Sequence, residues 1–151
     1  MRRKNIFKIV VNLIFKSEPN AKNSIVKNDG TVIASNRTED TRVVLRKGES
    51  VTVTYTGLEN SSYAVTKISK VVYTYTAKDD TDGLHISHNP NITVTFLAAD
   101  FADADATGEG DGPWSSHLGM SIQFFDEKGK VITFSEANPA LIAFNSLNSR
   151  S

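Results

Sequence analysis

Polar and apolar residues alternate with period two along most of the chain after position 31, the spacing of strands that bury one face and leave the other in water. In "SVTVTYT", Val51, Val53 and Tyr55 point one way and Thr52, Thr54 and Thr56 the other. "KISKVVYTYT" repeats the arrangement, with Val71, Tyr73 and Tyr75 opposed to Val72, Thr74 and Thr76. Ile92, Val94 and Phe96 follow the same rule in "NITVTF", as do Met120, Ile122 and Phe124 in "GMSIQFFD". "FFDEKGKVITF" predicts a hairpin, because the polar Asp126-Glu127-Lys128-Gly129 turn joins two apolar runs. Weaker strands are predicted at "TVIAS" after Asp29-Gly30, at "TRVVLR" before Lys47-Gly48, and at "ALIAFNSL" after Asn138-Pro139.

No window carries a helical stripe. Abundant Thr, Val and aromatic residues between Gly, Asn and Asp turns predict an all-β fold, an antiparallel β-sandwich, in place of a parallel sheet with crossover helices. The strands are expected over about residues 31 to 147. The leading "MRRKNIFKIVVNLIFK" has the outline of a secretion signal, but Lys8 interrupts its apolar run, which ends at Lys16 without a small-residue cleavage site. Residues 1–30 are therefore set apart as a leader, and residues 31–151 as the sandwich domain.

Composition narrows the function classes. The 151 residues are 39% hydrophobic and 23% charged, enough for a single packed core. Net charge is zero overall, yet Arg2, Arg3, Lys4, Lys8 and Lys16 place five bases in the first sixteen residues; the rest, twelve bases against seventeen acids, carries −5. Without a basic stripe to neutralise phosphates, nucleic acid is a poor default partner. The chain has no Cys, which removes thiolate catalysis, disulfides and Cys-ligated zinc. No stretch of eighteen or more apolar residues is present, so membrane insertion is not expected.

Three segments are more specific than a generic sandwich: "VTYTGLENSSY", the following "KISKVVYTYT", and "SIQFFDEKGKVITFSEANPALIAFNSLN". Together they resemble the family of glucan-binding protein C and the streptococcal surface antigen I/II variable domain, over about Thr41 to Asn148. The resemblance implies a β-supersandwich adhesin module, displayed on the Gram-positive cell surface and binding glucan or a host glycoprotein. It also implies that this chain is a fragment of an adhesin or a degenerate short relative of one, since the family's module is much longer. Calcium is carried by members of the family, without a residue-by-residue ligand match here.

The chemistry-bearing stretch is "DFADADATGEGDGPWSSH", which holds Asp100, Asp103, Asp105, Glu109 and Asp111. Asp103-Ala-Asp105-Ala-Thr107-Gly108 fits the first six places of a calcium loop and Asp111 the ninth, but the twelfth, where a bidentate Glu belongs, is Trp114. An EF-hand is excluded, leaving Asp103, Asp105 and Asp111 as ligands of a calcium site of another design, or a solvated loop. Trp114, the only Trp, stands beside Ser115, Ser116 and His117, an arrangement suited to stacking on a pyranose ring while polar groups fix its hydroxyls. Tyr63 is a second candidate aromatic; the alternative for both rings is that they cap the core.

Other chemistry fares worse. His85 and His88 lie three apart in "HISH", which on a strand puts them on opposite faces, so a zinc site is not expected. The chain has no Gly-x-Ser-x-Gly elbow, phosphate loop or His-Glu-x-x-His motif. Acids in an Ala/Gly loop lack the rigid placement that glycosidic cleavage demands. The expectation is a non-catalytic adhesin. Its rivals are a passive stalk domain, with Lys67 or Lys70 cross-linked to Asn91 or Asn145, and, more remotely, a glycoside-acting enzyme.

Overall fold

The computed structural model describes residues 13–81, 83–91, 95–97 and 118–137. Every regular element among them is a strand and every pairing is antiparallel. The larger sheet contains β2 (Lys22–Lys27), β3 (Val32–Ser35), β5 (Ser50–Thr56), β8 (Lys70–Ala77) and β11 (Leu118–Phe125), in the order β11-β8-β5-β2-β3. A second sheet has the order β10-β9-β4, from β4 (Thr41–Val43), β9 (Gly83–Ile86) and β10 (Thr95–Leu97). β1 (Leu13–Ile14), β6 (Ser62–Tyr63) and β7 (Thr66–Lys67) form a third small sheet.

The alternation in the sequence becomes the two faces of the larger sheet. On β5 and β8, Val51, Val53, Tyr55, Val71, Tyr73 and Tyr75 are all buried, while the intervening residues are half-buried or exposed. Val43, Leu45, Leu84 and Ile86, from the second sheet and its flank, join the same buried cluster. The two sheets thus share one core, the sandwich the pattern predicts, and each fully buried aliphatic side chain contributes roughly 1.5–3 kcal/mol. Met120, Ile122 and Phe124 face this core from β11. The 126–129 turn also forms as predicted: Gly129 N–H donates to Asp126 O at 3.1 Å, Phe125 bridges Val131, and Gly129 takes φ +78, a region open to glycine. Ile92 and Val94, and the "ALIAFNSL" segment, lie outside the described residues.

One expected boundary is corrected. β2 precedes residue 31 yet sits between β5 and β3, paired to β5 along its whole length from Lys22↔Thr56 to Lys27↔Val51, with Ile25 fully buried. Residues 22–27 are therefore part of the sandwich, and β1, at Leu13–Ile14, belongs to the third sheet. The sequence conceals this because β2 carries a single large core residue, and its other inward side chain is the polar Asn23.

Candidate functional site

The second sheet connects to the larger one at one end of the sandwich. β10 finishes with Leu97 opposite Gly83, and β11 begins with Leu118 opposite Ala77, so the chain leaves one layer and re-enters the other at the same end. Two shorter connections, 44–49 and 78–82, cross there as well. They are tied together: Gly48 N–H donates to Ala77 O at 2.8 Å, Thr81 N–H to Leu45 O at 2.8 Å, and Lys47 N–H to the Asp80 carboxylate at 2.8 Å. The buried Thr81 hydroxyl both accepts from Leu45 N–H and donates to Leu45 O. Lys27 pairs with Glu49 at 2.7 Å; that hydrogen bond raises the lysine pKa and lowers the carboxylate's. These bonds tie the two connections into one rim, at the end of the sandwich where β10 finishes and β11 begins.

Asp100, Asp103, Asp105, Glu109, Asp111, Trp114 and His117 lie outside the described residues. Tyr63 is described, and its expected role as a sugar-stacking ring is corrected. Its side chain is only 8% exposed and meets Phe134 edge-on, with ring centroids 4.9 Å apart. Phe134 in turn meets Phe124, and Phe124 meets Phe15, all edge to face, so Tyr63 is one ring of an aromatic cluster closing the core. That cluster is at the far end of β11: Phe124 is six residues beyond Leu118, roughly 20 Å at ~3.4 Å per residue. Tyr63 thus belongs to the opposite end of β11 from Leu118.

The two histidines of "HISH" do not share a strand, since β9 ends at Ile86. His85 pairs with Arg42 and Thr95 within the second sheet, whereas His88 lies past the end of β9, where its N–H donates to Asp40 and its Nδ1 lies 2.9 Å from the same carboxylate. These bonds hold the Asp40 pKa below its ordinary value. Among the described residues, no three His, Asp or Glu side chains group to hold a metal ion. The lysines considered for cross-linking are engaged elsewhere: Lys67 pairs with Glu127 at 3.3 Å, and the Lys70 ammonium lies 4.1 Å from the centre of the Phe125 ring.

Sequence reasoning missed the polar framework at the opposite end. Glu18 is 3% exposed, and its carboxylate accepts from the backbone N–H groups of Glu59 and Asn60, both at 2.6 Å, and from the Ser61 hydroxyl at 2.9 Å. Its own N–H donates to Asn89 Oδ1, while Asn89 Nδ2 donates to Ser17 Oγ at 2.8 Å. Beside it the Asn23 side chain accepts from Arg37 N and Nε, and the Arg37 guanidinium donates to the carbonyls of Ile86 and Ser87. Across the core, Tyr55 Oη donates to Ser87 O at 2.5 Å and Tyr73 Oη to Pro90 O at 2.6 Å. Burial pushes the Tyr55 pKa up to about 12 and raises that of Tyr73 further. The segment 87–91 is thus held from four other parts of the chain.

Fold and rim define an antiparallel β-sandwich module, a rigid scaffold of the kind whose connecting segments carry ligand contacts. The chain belongs to the glucan-binding protein C family, whose model matches residues 30–151. The aggregation substance of Enterococcus faecalis is 33% identical to it over 116 residues, covering 73% of this chain and 8% of that protein. The solved structure of glucan-binding protein C from Streptococcus mutans, a protein with evidence of mediating both sucrose-independent and sucrose-dependent adherence, superposes with a TM-score of 0.57 at 24% identity. That match covers 80% of this chain and 42% of the other, which confirms the sandwich fold. The chain therefore spans less than half the length of either relative.

Proposed function

We propose that this chain is a non-catalytic adhesion module that holds glucan, or a glycoprotein bearing related sugars, at the surface of a Gram-positive cell. The observation that carries the reading is the family match over residues 30–151, together with the adherence function named for the streptococcal relative. Trp114 is assigned the stacking role, with Asp100, Glu109 and His117 bonding sugar hydroxyls.

Calorimetric titration of the chain with a short α-glucan oligosaccharide tests the assignment. Trp114→Ala should lose at least tenfold in affinity with an unchanged melting temperature. An unaltered affinity, or a lower melting temperature with binding intact, would return Trp114 to the core-capping role. Incubation with the same sugar should leave its length unchanged over hours; shortening would overturn the non-catalytic reading.

A further inference from the structure

The outward face of the larger sheet departs from an ordinary solvated sheet. In its register, Ser121, Thr74 and Thr52 stand in one row across β11, β8 and β5, and Gln123, Val72 and Thr54 in the next. Neither row contains a charged side chain, and both continue onto β2 through Val26 and Ser24. Lysines flank the two rows: on one side Phe125, Lys70, Thr56 and Lys22 are in register, and on the other the Lys78 side chain lies beside Gly119, which pairs with Thr76. Ser121 and Gln123 are exposed, and Thr52, Thr54, Val72, Thr74, Ser24 and Val26 are half-buried. Solvent-facing surfaces ordinarily carry charged residues at about a quarter to a third of positions, so two uncharged rows across four strands are a distinct chemical surface.

We infer that this face binds an extended neutral polysaccharide, lying across the strands, at a site separate from the Asp100–His117 segment; this rests on the glucan-binding reading above. Thr presents a methyl group and a hydroxyl side by side, so each can pack on a sugar C–H while donating or accepting a hydrogen bond. The strands repeat these groups at ~4.8 Å across the sheet and, on alternate residues, at ~6.8 Å along it. Binding a neutral polymer here desolvates no charge, whereas an anionic polymer would find no cation in the two rows. A protein partner fits less well, because protein interfaces rely on Trp, Tyr and Arg anchors and draw little from Ser and Thr. Individual contacts are weak, so retention must grow with polymer length as repeats are engaged together.

Affinity electrophoresis of the chain through gels containing dextran, with dextran sulfate as the anionic counterpart and isomaltotriose as the short probe, decides the matter. The expected result is retardation by dextran that falls at least tenfold in Thr52→Lys/Thr74→Lys, with isomaltotriose binding retained. Ser121→Lys/Gln123→Lys on the edge strand β11 gives the same reading should the first pair fail to fold. Equal retardation of a folded variant and the wild type overturns the inference, as does a wild type that dextran does not retard. A wild type that dextran retards but that does not bind isomaltotriose would instead remove the loop assignment and leave the face standing. Should the lysine pairs change only self-association in sedimentation, the face is an interface between copies and the polysaccharide inference falls.

Discussion

Replacing Glu18 by Gln isolates what a buried carboxylate does in this sandwich. The native side chain accepts three hydrogen bonds, two of them from backbone N–H groups of the 57–61 connection and one from Ser61. Hydrogen bonds to a charged group each contribute roughly 1.5–3 kcal/mol, and those sharing one acceptor are not additive. The amide keeps one acceptor oxygen and turns an NH₂ group toward donors that it cannot satisfy. Glu59 and Asn60 are exposed enough for water to reach them after a small movement, which limits the loss. The balance is a destabilisation of about 2–4 kcal/mol, or a fall of roughly 5–15 °C in melting temperature for a domain of this size. Urea denaturation monitored by circular dichroism gives the free energy, and calorimetry gives the temperature. Glu59→Gln is the control: that carboxylate is exposed and only receives Asn20 Nδ2 at 3.4 Å, so its change should stay within about 0.5 kcal/mol. If Glu18→Gln is no more destabilising than Glu59→Gln, the carboxylate is not organising the 57–61 connection and the argument fails.

The buried phenols set an alkaline limit. Tyr55 holds its proton from the ordinary value of 10.0 up to about 12, so the stability it contributes is complete below pH 10 and is lost as pH climbs through 12. That loss is on the order of 2–3 kcal/mol. In an alkaline titration, tyrosinate absorbance from Tyr55 and Tyr73 should therefore rise together with the collapse of the β signal; a full rise near pH 10 on a still-folded chain would contradict the burial argument. Calcium supplied after chelation should raise the melting temperature, and Asp103→Asn/Asp105→Asn should abolish the rise. Identical melting with calcium and with chelator would remove Asp103, Asp105 and Asp111 from consideration as ligands.

Strands that bury one face announce themselves, which is why β5 and β8 were legible to the residue. Each places three large side chains inward at strict alternation, and burial follows that pattern without exception. β9 leaves a faint signature because "GLHI" is short and its buried Gly83 leaves little periodicity; there the Arg42 side chain occupies the space that a Cβ would fill. Tyr63 carried no sign of which way it would face, since its burial depends on Phe134, seventy-one positions away. Glu18 reads as an ordinary loop acid in "KSEPNAK", and only the folding of 57–61 over it makes it a buried acceptor. Local pattern records which side chains must leave water. Long-range polar partnerships leave no such trace.

The internal place of β2, between β5 and β3, has a consequence for how the module varies. Its tie to β5 is a ladder of main-chain bonds, which any extended hexapeptide can supply, and only Ile25 and Asn23 are asked for a particular side chain. A strand anchored by its backbone is nearly free to change its letters while keeping its position. Sequence kinship can accordingly fade at residue 30, where the family match begins, although the architecture continues unbroken to residue 22. A module boundary drawn by similarity alone would take β2 out of this sheet and leave β3 without its neighbour.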